Sequence, residues 1–236
     1  MLPVIRKVLM KFKLILFVMI AFAAGVQAQE VKSRKTSGEP QAVTNDDRGR
    51  AFIITGEMLS LSLRGQHERV IIEPRQQSVF LGSGWAGESE RAREPELANL
   101  LANLRDQSQL NALDEYGIKN FFAATSSQER LDDMAVDRSV SDLRIQSVLA
   151  GMLSEGSLRR PNASTILVIY LDPGIRSTLG GMMAGKHYLA YHNFFNASGM
   201  KIHYVVVPFE ANQQTAYQIA LRAFLAAALN PNGTGS

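Results

Sequence analysis

The chain has no cysteine among its 236 residues, a single tryptophan and only four histidines. Without cysteine there are no disulfide staples, no thiolate metal sites and no cysteine nucleophile, so packing alone must hold the fold. Four histidines, at 67, 187, 192 and 203, leave little material for a metal centre. One long uninterrupted apolar run is present, residues 14–26, and it is shorter than the ~18–20 residues a membrane-spanning helix needs. Arg6, Lys7, Lys11 and Lys13 precede it, and Val26-Gln27-Ala28 follows with small residues at the −3 and −1 positions. This is the layout of a cleavable secretory signal, with cleavage after Ala28, so residues 1–28 are expected to be absent from the exported protein.

Removing that segment changes the charge argument. The full chain carries 25 basic and 22 acidic residues, a formal charge of +3. All four charged residues up to Ala28 are basic, which leaves 21 against 22 and a mature charge of −1. Nothing here calls for a nucleic-acid partner or, after cleavage, for a stable membrane anchor. The expected location is secreted or periplasmic. Residues 29–50 are polar and without periodicity, and read as a flexible leader. Residues 51–231 then make one globular α/β domain (α+β is the variant), a mixed sheet flanked by helices, and residues 232–236 are a short tail.

Within the domain, apolar runs at 52–54, 58–63, 70–72 and 79–81 read as strands. Leu97, Leu100, Leu101 and Leu104 fall on one helical face and predict a helix over 94–106, with a shorter one at 109–115 and a brief strand at 121–125. Ser139 and Asp142 are spaced as a capping-box variant ahead of a helix that Gly156 ends. Thr165-Ile-Leu-Val-Ile-Tyr-Leu171 is almost wholly apolar and β-branched, which suits a central strand covered on both faces. After the Asp172-Pro173-Gly174 turn, residues 175–198 read as a loop rich in Gly, Met, His and aromatics. A strand over 201–209 and a helix over 213–229 complete the chain.

Candidate chemistry is sparse. Gly180 to Lys186 follows most of a phosphate-binding loop, but His187 stands where magnesium needs Ser or Thr, so a flexible glycine loop is the better reading. Ser83, between Gly82 and Gly84, lacks the G-x-S-x-G spacing of a nucleophile turn. His187 and His192 are the candidates for catalysis. With His203 they are also the available metal donors, although no Asp or Glu completes a set between Asp172 and Glu210. Asp132-Asp133 and Asp46-Asp47 read as solvated loops, and His67 as part of a hairpin-like loop. No cofactor is expected.

Several segments taken in order resemble the secreted EXORDIUM-like (phosphate-induced protein) family and its bacterial relatives. They are Val79-Phe80-Leu81-Gly82-Ser83-Gly84-Trp85, Leu113-Asp114-Glu115-Tyr116-Gly117 and the helix after Ser139. Thr165 to Gly174, Tyr191-His192-Asn193 and His203-Tyr204-Val205-Val206-Val207-Pro208 follow. The resemblance implies a zincin-like scaffold whose last helix, in relatives, reads H-E-x-x-E just before a D-P turn. Counted back from Asn230-Pro231, those positions are Arg222, Ala223 and Ala226. Arginine does not ligate zinc and alanine has no donor. The resemblance therefore implies a scaffold without its metal site: a non-catalytic protein that binds an extracytoplasmic protein or glycan. A divergent hydrolase using His187 and His192 is the alternative.

Overall fold

In the computed structural model the described residues are 51–59, 70–101, 113–118, 122–123, 130–131 and 139–233. The expected signal, leader and His67, most of the 58–63, 109–115 and 121–125 segments, and the Asp132-Asp133 and Asp46-Asp47 pairs lie outside them. All described residues belong to one compact unit, Glu39–Ser236.

Two mixed sheets organise these residues. The larger has seven strands: β1 (Phe52–Ile54), β2 (Arg75–Leu81), β3 (Phe122–Ala123), β4 (Arg130–Leu131), β6 (Thr165–Leu171), β9 (Ala190–Ala197) and β10 (Met200–Val207). Its order is β1-β9-β10-β6-β2, with β3 and β4 both on the outer edge of β2. β10, β6, β2, β3 and β4 run parallel; β9 is antiparallel to both its neighbours. The smaller sheet is β5 (Ser139–Ser141), β7 (Arg176–Leu179) and β8 (Met182–Met183).

Helices cover both faces of the large sheet. α1 (Glu88–Leu97) follows β2, and α3 (Gln213–Leu229) follows β10. Both bury apolar side chains in the cluster that contains Phe80, Tyr170 and Val205. α2 (Asp142–Glu155), which precedes β6, packs with the small sheet on the other face, where Leu81, Leu167, Ile169 and Val206 point. All seven residues of β6 are buried, as its composition requires for a strand between two layers. α3 is apolar around most of its circumference and has twelve buried residues; Phe224 alone contributes about 1.5–3 kcal/mol of burial.

Several expectations need correction. Residues 70–72 are not a strand: β2 begins at Arg75, just after Pro74, which can donate no ladder hydrogen bond. Residues 57–59 form a 3-10 turn. α1 starts at Glu88, six residues before the expected helix start at 94, and ends at Leu97, accommodating Pro95 inside. Its strongly polar sequence hides it from a search for amphipathic spacing. The cap of α2 is Ser141, whose Oγ accepts from Arg144 N–H at 3.3 Å, while Ser139 lies in β5. The segment 175–198 is not a loop but contains β7, β8 and β9, with Gly180 and Gly181 (φ 56° and 90°) forming the turn between β7 and β8. No helix follows this glycine segment, which removes the phosphate-loop geometry.

Candidate functional site

Strand β2 has β3 and β4 on one side and β6 on the other, while α1 and α2 lie on opposite faces. That reversal makes the carboxyl ends of β2 and β6 a topological switch point, the position where open α/β sheets present a crevice. Gly82-Ser83-Gly84-Trp85 leaves β2 there, and Asp172-Pro173-Gly174 leaves β6.

Asp172 joins the two turns. Its Oδ2 accepts from Gly84 N–H and its Oδ1 from Gly174 N–H, each at 2.7 Å, and the side chain is buried. A charged acceptor shared by two backbone donors satisfies groups that would otherwise be stranded where the strands end. Gly82 has φ 108°, and a Cβ there would stand 2.2 Å from Asp172 Oδ2. Trp85 reaches across to donate from Nε1 to Tyr170 O at 3.2 Å and packs edge-on against Phe80. Ser83 is exposed at the apex of this turn, and the chain enters α1 at Glu88 through a 3-10 turn. The Gly-Ser-Gly turn is therefore held rigid by a carboxylate that the sequence reading took only for part of a turn.

A second polar centre lies between the sheet and α2. Asp142, in the first turn of α2, accepts from Tyr204 Oη (2.6 Å) on one oxygen. Its other oxygen accepts from Gln146 Nε2 (2.9 Å) and Asn193 Nδ2 (3.1 Å). Gln146 Nε2 also donates to Tyr204 Oη at 2.9 Å. Burial holds the Tyr204 and Tyr191 hydroxyls well above their usual pKa of 10, and the neighbouring Asp142 charge adds to the shift. Both phenols therefore stay protonated. Tyr188 Oη donates to Ser177 Oγ at 2.9 Å and carries the same bracket to the small sheet. The arrangement fixes α2 on β9 and β10 through one carboxylate.

The three histidines named as candidates separate. His187 is exposed in the turn after β8, and its Nδ1 accepts from Met183 N–H at 3.0 Å. His192 is fully buried in β9, stacked on Phe52 of β1 at 5.0 Å between ring centroids, and neither of its ring nitrogens has a hydrogen-bond partner. Burial, with a smaller contribution from His203, lowers its pKa to about 3. His203 is buried in β10 and bonds through Nδ1 to Pro231 O at 3.0 Å. Desolvation lowers its pKa to about 4; the Pro231 carbonyl opposes this and Lys201 reinforces it. His192 and His203 thus lie on the α3 face of neighbouring strands, and the exposed His187 is not gathered with them. Among the described residues no group of three His, Asp or Glu side chains is arranged to hold a metal ion.

Of the α3 positions singled out by the family resemblance, Ala223 and Ala226 are built into the core. Ala223 is 0% exposed and Ala226 is 9% exposed, both in the cluster beneath α3. Arg222 is half-buried, and loss of solvent lowers its pKa below the ordinary guanidinium value. Ala223 and Ala226 present only methyl groups to the core, with no donor that could hold a metal.

No protein-family model, curated protein or solved structure matches this chain.

Proposed function

We propose that this is a secreted or periplasmic binding protein, built on a zincin-like scaffold of the EXORDIUM-like kind, in which the metal-binding helix face has become a packing surface. The observation that carries the reading is the burial of Ala223 and Ala226 on α3. A helix that keeps its place over the sheet but offers alanine at two of the three chemical positions contributes structure and no catalytic group. The engagement of the carboxylates supports the same reading. Asp172 is occupied by two backbone amides and Asp142 by three side chains, so neither is left to activate water. The hydrolase alternative needs His187 and His192 side by side; one imidazole caps a surface turn and the other is sealed under β1 and α3.

Metal analysis of exported protein, purified without chelator and with any histidine tag removed, tests the proposal. The expected result is substoichiometric zinc and no peptidase activity on unstructured protein substrates. Stoichiometric zinc, lost on substitution of His192 or His203, would overturn it.

A further inference from the structure

The small sheet has two unlike faces. Val140, Ser177 and Leu179 are buried against the core, whereas Ser139, Ser141, Arg176 and Met183 alternate with them and face solvent. The register places Ser139 opposite Arg176, Ser141 opposite Thr178, and Thr178 opposite Met183, so these residues form one continuous outer face. At its border the first turn of α2 adds Leu143 and Arg144, both exposed, directly after Ser141. The turn after β8 adds Lys186, whose backbone N–H donates to Met183 O. Leu143 and Met183 are 37% and 43% exposed, two of the three large apolar side chains so exposed among the described residues.

Among the described residues the charge on this surface has one sign. Arg144, Arg176 and Lys186 are exposed, and among the described residues their side chains enter no ion pair or hydrogen bond. Within β5, β7, β8, their connecting turn and the first turn of α2, the one carboxylate is Asp142, and it is turned inward to Tyr204, Gln146 and Asn193. A locally cationic face on a chain whose mature formal charge is −1 is complementary to an anionic partner. Leu143 and Met183 between the cations narrow the choice. A polyanionic glycan has no use for exposed leucine and methionine, whereas a protein segment with acidic and apolar side chains would use both, and methionine adapts its shape to such partners.

We infer that the outer face of the β5-β7-β8 sheet is a docking surface for an acidic, amphipathic segment of a partner protein, with Arg144, Arg176 and Lys186 meeting its carboxylates and Leu143 and Met183 its apolar side chains. The edge of β8 takes no part through its backbone at Met183, because His187 already accepts that N–H. The inference rests on the binding-scaffold reading and specifies where, and to what, that scaffold binds.

The test uses the exported full-length protein and a short synthetic peptide alternating Glu and Leu, with poly-glutamate and heparin as comparison ligands, titrated at low and moderate salt. Saturable peptide binding is expected to weaken with salt, and to weaken about tenfold in the Arg144→Ser/Arg176→Ser/Lys186→Ser variant. Leu143→Ser/Met183→Ser is expected to weaken the peptide but not poly-glutamate. Thermal unfolding of both variants should match the parent, since every substituted side chain is exposed. Absence of peptide binding, or binding unchanged in the cationic variant, overturns the inference. So does equal binding of heparin and peptide that ignores Leu143 and Met183, which would mark a general polyanion site. Zinc content measured on the same samples keeps the two readings apart: stoichiometric zinc defeats the scaffold proposal alone, and loss of peptide binding in zinc-free protein defeats this surface alone.

Discussion

Below neutral pH the two buried histidines should make this protein lose stability steeply. His192 and His203 have pKa values of about 3 and about 4 in the folded chain, against 6.5 for an unconstrained imidazole. The unfolded chain therefore binds protons more readily. Stability is fully present above pH 6.5 and is lost as pH falls through the window down to about 4 for His203 and about 3 for His192. Each pKa unit of difference is worth about 1.4 kcal/mol, so at pH 5 each histidine costs about 2 kcal/mol and the pair about 4 kcal/mol. Domains of this size have total stabilities of roughly 5–15 kcal/mol, so the loss is a large share. The surroundings offer no relief. Lys201 on β10 and Arg222 on α3 are cations, Phe52 and Phe194 are apolar rings, and β1, β9, β10 and α3 contain no carboxylate. Urea unfolding at pH 7 and pH 5 measures the effect. His192→Leu should remove about half of the histidine-linked loss, and His192→Leu/His203→Gln nearly all of it. Wild type losing no more between pH 7 and pH 5 than the double variant does would refute the reasoning, because carboxylates elsewhere titrate equally in both.

Two further outcomes follow from other parts of the chain. Gly82→Ala should cost at least about 2 kcal/mol, from a left-handed φ combined with a Cβ driven into the Asp172 carboxylate; a urea midpoint unchanged from wild type would remove Asp172 as the clamp of the two turns. Intact-mass measurement of exported protein should give a chain beginning at Gln29, and a mass that retains residues 1–28 would replace cleavage by anchoring.

What the sequence discloses of this fold depends on how each element earns its place. β6 and α3 are legible because burial on both faces, or around most of a helix, leaves no choice but apolar residues at nearly every position. The ends of α3 are equally legible: Asn212 accepts from Thr215 N–H at 2.9 Å, and Asn230 precedes a proline. α1 is hidden because Leu97 at its end is the one apolar side chain it buries, and the other buried residues, Arg93 and Glu94, are charged. The strands β7 to β9 are hidden for a different reason. Their glycines and methionines suggest a loop, yet Gly180 and Gly181 serve only the turn, and the flanking residues pair across it.

The polar centres were out of reach of motif reasoning because neither is local in sequence. Asp142 meets Asn193 and Tyr204 across 51 and 62 positions, and Asp172 meets Gly84 across 88. No spacing rule links them; only the parallel register that sets Leu81 beside Leu171, and the antiparallel register that sets Asn193 beside Tyr204, brings them together. The histidines show the converse. His187 and His192 are five apart and suggest a pair, but an intervening turn and the start of β9 send one imidazole to the surface and the other under α3. In this fold proximity in sequence is a poor guide to a site, and Asp142 and Asp172 find their distant partners by strand register. Asp172 and Asp142 hold turns and a helix in place, whereas among the described residues the side chains of Arg144, Arg176 and Lys186 on the outer side of the small sheet have no partner.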